Sequence, residues 1–184
     1  EISDTTAQLT RVAVAAAKKH NVTISSDLNY RRKLWSPQKA QTFMTDIMKH
    51  VDVCIGNEED AELCLGLKPE GTDVFKSKLN IEGYKKVFER MRELYGFKYI
   101  GCTLRESYSA SDNGWSVLCY DGKEFCRSRH YDIRLVDRGG GGASFAAGFI
   151  YGLTNGLPLK TTAEFAGAAS ALKHTIYGGF NLVT

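Results

Sequence analysis

The stretch 136–152, VDRGGGGASFAAGFIYG, constrains the chain more than any other. It leads from an extended pattern through four consecutive glycines, Gly139 to Gly142, into residues with helical spacing. A strand that turns into a helix through residues without Cβ lets backbone N–H groups approach an anion, and the helix adds the positive end of its dipole. A tight packing turn is the plainer alternative, but a turn seldom requires four glycines. Two familiar phosphate motifs do not fit. The Walker pattern needs Gly-Lys-Ser/Thr, whereas Gly142 is followed by Ala143, and the dinucleotide pattern needs a third glycine where Ser144 or Phe145 stands.

The rest of the chain supplies a frame for that turn. Residues 5–20 put Leu9, Val12, Ala13, Ala16 and Ala17 at helical spacing, and 22–26 reads as a short buried strand. Ser36 and Pro37 open a second helix that runs to about Lys49, and VDVCI at 51–55 is a second strand. Asn57 begins a third helix that stops near Gly66; residues 68–79 read as a surface loop. A helix over 81–95 ends at Gly96, and FKYIGCTL is a third strand. Shorter segments follow with antiparallel texture, including a hairpin signal at Asp121-Gly122, and two helices close the chain at 144–153 and about 160–176. The fold class is therefore α/β: three layers, a mostly parallel sheet with helices on both faces, and antiparallel edge strands. The chain opens on a helix with no strand ahead of it, so the fold is expected to be incomplete at the N-terminus.

Composition narrows the function classes. With 184 residues and 43% hydrophobic positions, 1–184 suffices for one domain with a real core. The net charge of +3 is mild and no block of basic residues occurs, so neither nucleic acid nor a membrane is indicated as partner. No apolar run approaches the ~18 residues of a membrane span. Five cysteines make an odd count without a C-x-x-C pair, which favours buried reduced thiols in a cytoplasmic protein.

In open α/β sheets, ligands bind beyond the carboxyl ends of the strands. Four polar stretches occupy that position: DLNYRRKLW at 27–35, GNEED at 56–60, TLRES at 103–107 and the glycine turn. An arginine in the first, Arg31 or Arg32, can grip a carboxylate or phosphate bidentately; a solvated basic loop is the alternative. In the second, Asn57 is a good N-cap and the acids suit the helix dipole, so capping alone can account for it, with a role near magnesium as the alternative. Trp115, His130 and Lys173 read as structural or surface residues.

Together these segments resemble the ribokinase-like (PfkB-type) carbohydrate kinases, and within them the type acting on 2-keto-3-deoxygluconate. DLNYRRKLW, VDVCIGNEEDAE, TLRESYSASDNGW, VDRGGGGASFAAGFIYGL and LKHTIYGGFN carry the likeness, from about Ser25 to the end. The resemblance implies ATP-dependent phosphorylation of a sugar-acid hydroxyl in the cytoplasm, with Mg2+ and ATP as cofactors. It implies ATP contacts from Asn29, Arg31, Thr103, Arg105, Ser107, Gly140 and Gly142. Substrate contacts come from Arg31 and Gly179, and Asn57 and Asp60 stand where the family's magnesium-associated element lies. Gly140, Gly141 and Gly142 form the anion hole.

Two departures follow. The positions of Ala143 and Gly179 are usually aspartate in that family, and the first is its general base. A positioned base supplies about 10²- to 10⁴-fold, so an impaired catalyst is expected, with a non-catalytic nucleotide or sugar-acid binding module as the alternative. Ser144 points about 100° around the helix and is a poor base. The likeness also covers only the C-terminal, nucleotide-binding part of the family, which leaves room for a homo-oligomer or a complementing N-terminal segment as partner.

Overall fold

The computed structural model describes residues 3–68 and 79–181. Most of the surface loop expected at 68–79 lies outside the described residues. The elements run α1 (Asp4–Lys19), β1 (Ser25–Asp27), α2 (Pro37–Met48), β2 (Val53–Ile55), α3 (Glu58–Leu65) and α4 (Ile81–Tyr95). They continue with β3 (Tyr99–Ser107), β4 (Asp112–Tyr120), β5 (Phe125–Arg127), β6 (Tyr131–Arg134), α5 (Gly141–Thr154) and α6 (Leu159–Lys173).

Local chemistry explains the boundaries. Ser36 Oγ accepts from Lys39 N at 3.2 Å and Pro37 sits in the first turn of α2, where its missing N–H costs nothing. Gly66 and Gly96 end α3 and α4 in the left-handed conformation. The Asp121-Gly122 turn joins β4 to β5, with Asp121 Oδ1 accepting from the amides of Lys123 and Glu124.

The six strands form one mixed sheet. β1, β2 and β3 are parallel; β4 runs antiparallel to β3, β5 and β6. The expected pairing of parallel strands with antiparallel edge strands is present, with a larger antiparallel part than the sequence pattern suggested. Strand alternation then splits the core in two. Cys54, Ile100, Cys102, Leu104 and Leu118 face α2, α3 and α4, while Val53, Ile55, Val117 and Cys119 face α5 and α6. The helices α5 and α6 approach closely because Gly148 lies against Ala166, where a Cβ would come 2.9 Å from the Ala166 Cα. The five cysteine thiols are buried and unbridged, as anticipated.

The helix expected over 5–20 is present as α1, but its face carrying Leu9 and Val12 is not core: the two are 63% and 61% exposed and α1 buries no residue. The side turned inward carries Val14, and the helix is tied to α2 by the Arg11–Asp46 and Lys39–Asp4 ion pairs. The first strand lies at 25–27 rather than 22–26 and is an edge strand with exposed residues, because among the described residues it pairs with β2 alone. None of the described helices is long and apolar enough to cross a membrane.

Candidate functional site

The carboxyl ends of β1 and β2, the upper part of β3 and the start of α5 converge on a cavity of about 250 Å³. Its wall includes Asn29, Arg31, Asn57, Asp60, Thr103, Arg105 and Gly142, all expected from the sequence. Parallel strands put their following loops on one edge of the sheet, and that shared edge brings together residues more than 100 positions apart.

The loop after β1 is held by two side chains. Asp27 accepts from the backbone of Asn29, which itself adopts a left-handed conformation with φ 40°. Asp60 reaches across from α3 and its Oδ1 accepts from Tyr30 N at 2.8 Å. Asp60 also completes a reciprocal cap, with Oδ2 accepting from Asn57 N at 3.2 Å and Asn57 Oδ1 accepting from Asp60 N at 2.9 Å. Capping, the plainer reading of NEED, is thus realised, and both residues still line the cavity. Desolvation, aided by Asp60, raises the Asp27 carboxyl above its ordinary range, against the pull of Arg31. Burial likewise raises Asp60, opposed by the amides of Asn57 and Tyr30 and by Arg31.

The glycine turn forms the opposite wall. Gly140 is the N-cap of α5 at φ 81°, with no side chain capping it, and Ser144 N makes the first helical bond, to Gly140 O at 2.8 Å. The amides of Gly141, Gly142 and Ala143 therefore have no partner within the helix, and Gly142 opens on the cavity. Glycine is required at 140 on two counts: the backbone is left-handed, and a Cβ would run into the carbonyl oxygen of Gly179. Gly141 is buried and its carbonyl accepts from Ser170 Oγ at 2.8 Å.

The remaining expected residues lie off the cavity wall. Ala143 is exposed on α5 and contributes only a methyl group. Ser107 Oγ donates to Asn113 Oδ1 at 3.3 Å across the β3–β4 ladder. Gly179 touches the site through its carbonyl beside Gly140.

Three cavity residues were missed by sequence reasoning. Arg138 lines the wall and donates to Ala110 O at 3.0 Å. Trp115 and His174, taken from the sequence as structural or unremarkable, line it too, with ring centroids 4.3 Å apart. His174 is 4% exposed, and its Nδ1 donates to Ser170 O at 2.7 Å, which leaves Nε2 as the acceptor nitrogen. Burial lowers its pKa, and the nearby cations Lys173, Arg138 and Arg105 lower it further. Ser170 links the set, since its Oγ also accepts from Trp115 Nε1 at 3.1 Å. Arg138 stands one residue before the glycines, and that adjacency was the one available signal.

Comparison with known proteins defines the class. No protein-family model matches the chain. It is 45% identical to a 2-dehydro-3-deoxygluconokinase from Thermotoga maritima of known structure, with TM-score 0.90, over 96% of this chain and 52% of that one. A PfkB family carbohydrate kinase from Listeria grayi shares 28% identity at TM-score 0.80, over 95% and 51%. A 2-dehydro-3-deoxygalactonokinase from Haloferax volcanii is 27% identical over 100% of this chain and 51% of its own length. The chain is therefore similar along its length to the C-terminal half of ribokinase-like, PfkB-type carbohydrate kinases, and it spans about half the length of these relatives. Within that lineage its similarity extends to kinases named for 2-keto-3-deoxy sugar acids, the Thermotoga maritima enzyme among them.

Proposed function

We propose that this chain is the nucleotide-binding half of an ATP-dependent kinase for a 2-keto-3-deoxy sugar acid, with turnover limited by Ala143. The observation that carries the reading is that the uncapped start of α5, at Gly142, lines the same cavity as Arg31 and Arg105. Donors concentrated on a small cavity suit a polyanion, because amides at a helix start and guanidinium groups all present N–H and no acceptor.

The chain's residues divide the work. Gly142 and its neighbouring amides would hold the oxygens of the phosphoryl group in transfer, where they need no reorganisation as charge develops. Arg105 and Thr103 approach from β3 and would position the nucleotide phosphates, while Arg31 is placed to take a sugar-acid carboxylate. A magnesium ion, if bound with ATP, would supply positive charge against the phosphates. The donor set fits such an ion, since magnesium is commonly held by one or two carboxylates with phosphates and waters. Asp27 and Asp60, each raised by desolvation, are the carboxylates on the wall, and Asn57 stands beside them. The acceptor hydroxyl must lose a proton, and the methyl of Ala143 cannot take it.

Restoring a carboxylate tests the reading. The Ala143→Asp chain, assayed with ATP and 2-keto-3-deoxygluconate, is expected to gain about 10²- to 10⁴-fold in turnover. Unchanged turnover, with ATP binding retained by calorimetry, would instead support a binding module without catalysis. That second reading is favoured by the intact cavity wall beside an inert residue 143.

A further inference from the structure

Lys173, the last residue of α6, has 0% exposure. A lysine ammonium is almost never fully buried unless paired, because removing it from water is costly. Its Nζ donates to Ile176 O at 2.9 Å, and among the described residues no carboxylate lies within ion-pair distance of it. Asp137 feels its charge, but the Asp137 oxygens are engaged by the amides of Gly139 at 2.7 Å and Gly178 at 2.8 Å. The lysine Cε stands 3.1 Å from the point where a Gly140 Cβ would be. The ammonium end thus lies behind the turn that starts α5.

That position has an electrostatic consequence. The start of α5 carries the positive end of a helix dipole, and Lys173 adds a full charge of the same sign behind it. Neither can neutralise the other. An anion on the cavity side of the turn neutralises both. We propose that Lys173 is the charged back wall of the anion site: from behind the turns at 137–140 and 176–179 it strengthens anion binding electrostatically, without touching the ligand. The proposal rests on the anion-site reading given above.

The test compares the full chain with Lys173→Met and Lys173→Gln, using inorganic pyrophosphate as probe in calorimetric titration and thermal melting. Met fills a similar volume without charge, so the cost of holding an ammonium out of water is removed. Lys173→Met is therefore expected to melt, without ligand, at or above the wild-type midpoint. A unit charge acting over ~10 Å through protein of effective dielectric about 20 changes the affinity for an anion by about ten-fold. Both variants are expected to bind pyrophosphate at least about ten-fold more weakly and to lose most of its upward shift in melting. Gln can still donate to Ile176 O, so wild-type affinity in Lys173→Gln would assign the effect to that hydrogen bond and overturn the proposal. A Met variant that melts well below wild type would overturn it too, by marking the lysine as scaffold. Absence of pyrophosphate binding by the wild type would remove the anion site itself, a different failure from equal binding by all three chains.

Discussion

Alanine at position 140 is the sharpest single perturbation of the glycine turn. Gly140 has φ 81°, and a side chain in that region costs about 1–2 kcal/mol for an L-residue. The added Cβ would also meet the Gly179 carbonyl oxygen and, at 3.1 Å, the Lys173 Cε. Backbone cannot rotate away as a flexible side chain can, so relief requires the turns at 137–140 and 176–179 to separate, at about 1–3 kcal/mol. Together the two costs reach roughly 2–5 kcal/mol, and at about 2–4 °C per kcal/mol for a chain of this size the melting midpoint falls by at least ~4 °C. Gly142→Ala is the internal control. Its Cβ would meet nothing within 4 Å and its φ is not positive, so helix propensity predicts an unchanged or slightly raised midpoint. Thermal melting of the two variants side by side, followed by circular dichroism, reads the contrast. Equal midpoints for Gly140→Ala and wild type would refute the argument that the two turns are in contact.

Further outcomes follow from the same geometry. Asp60→Ala orphans the amides of Tyr30 and Asn57 and is expected to lose about 2–4 kcal/mol in urea unfolding; a loss under 1 kcal/mol would deny the shared cap. His174 has a folded pKa below its unfolded value near 6.5, so the unfolded chain binds more protons in that window and stability falls as pH drops below about 6.5, by at most ~1.4 kcal/mol per pH unit. His174→Asn, which retains a donor for Ser170 O, is expected to flatten that slope in melting curves from pH 7 to 5, and an unaltered slope would clear His174 of the effect. The thiols, including Cys64 pushed up to about 12 by burial, are expected to resist an aromatic disulfide reagent until the chain unfolds, and rapid native-state reaction would contradict their burial.

Much of the site was legible before any coordinates because local chemistry placed it. Ser36-Pro37 and Asn57-x-x-Asp60 carry their own start signals, Gly66 and Gly96 their own stops, and the glycine run announces a strand-to-helix turn. The exposure of α1 and the shifted, exposed β1 have a tertiary reason. Leu9 and Val12 are as apolar as core residues, but periodicity says only that they share a face, and not whether anything packs on it. Arg138, Trp115 and His174 likewise have no local mark, since they join the cavity only when β4, the turn before α5 and the end of α6 are folded together.

The sequence by itself determined the element order, most of the helix ends and the place of the glycine turn that starts α5, because those depend on contacts within a few residues. Tertiary structure alone decided that the Asp60 carboxylate also reaches the Tyr30 amide, that Ser170 ties Trp115 to Gly141, and that the Lys173 ammonium is buried behind Gly140. These are contacts and burials set by segments about 30 to 55 residues apart, and no local pattern encodes which distant group will stand opposite.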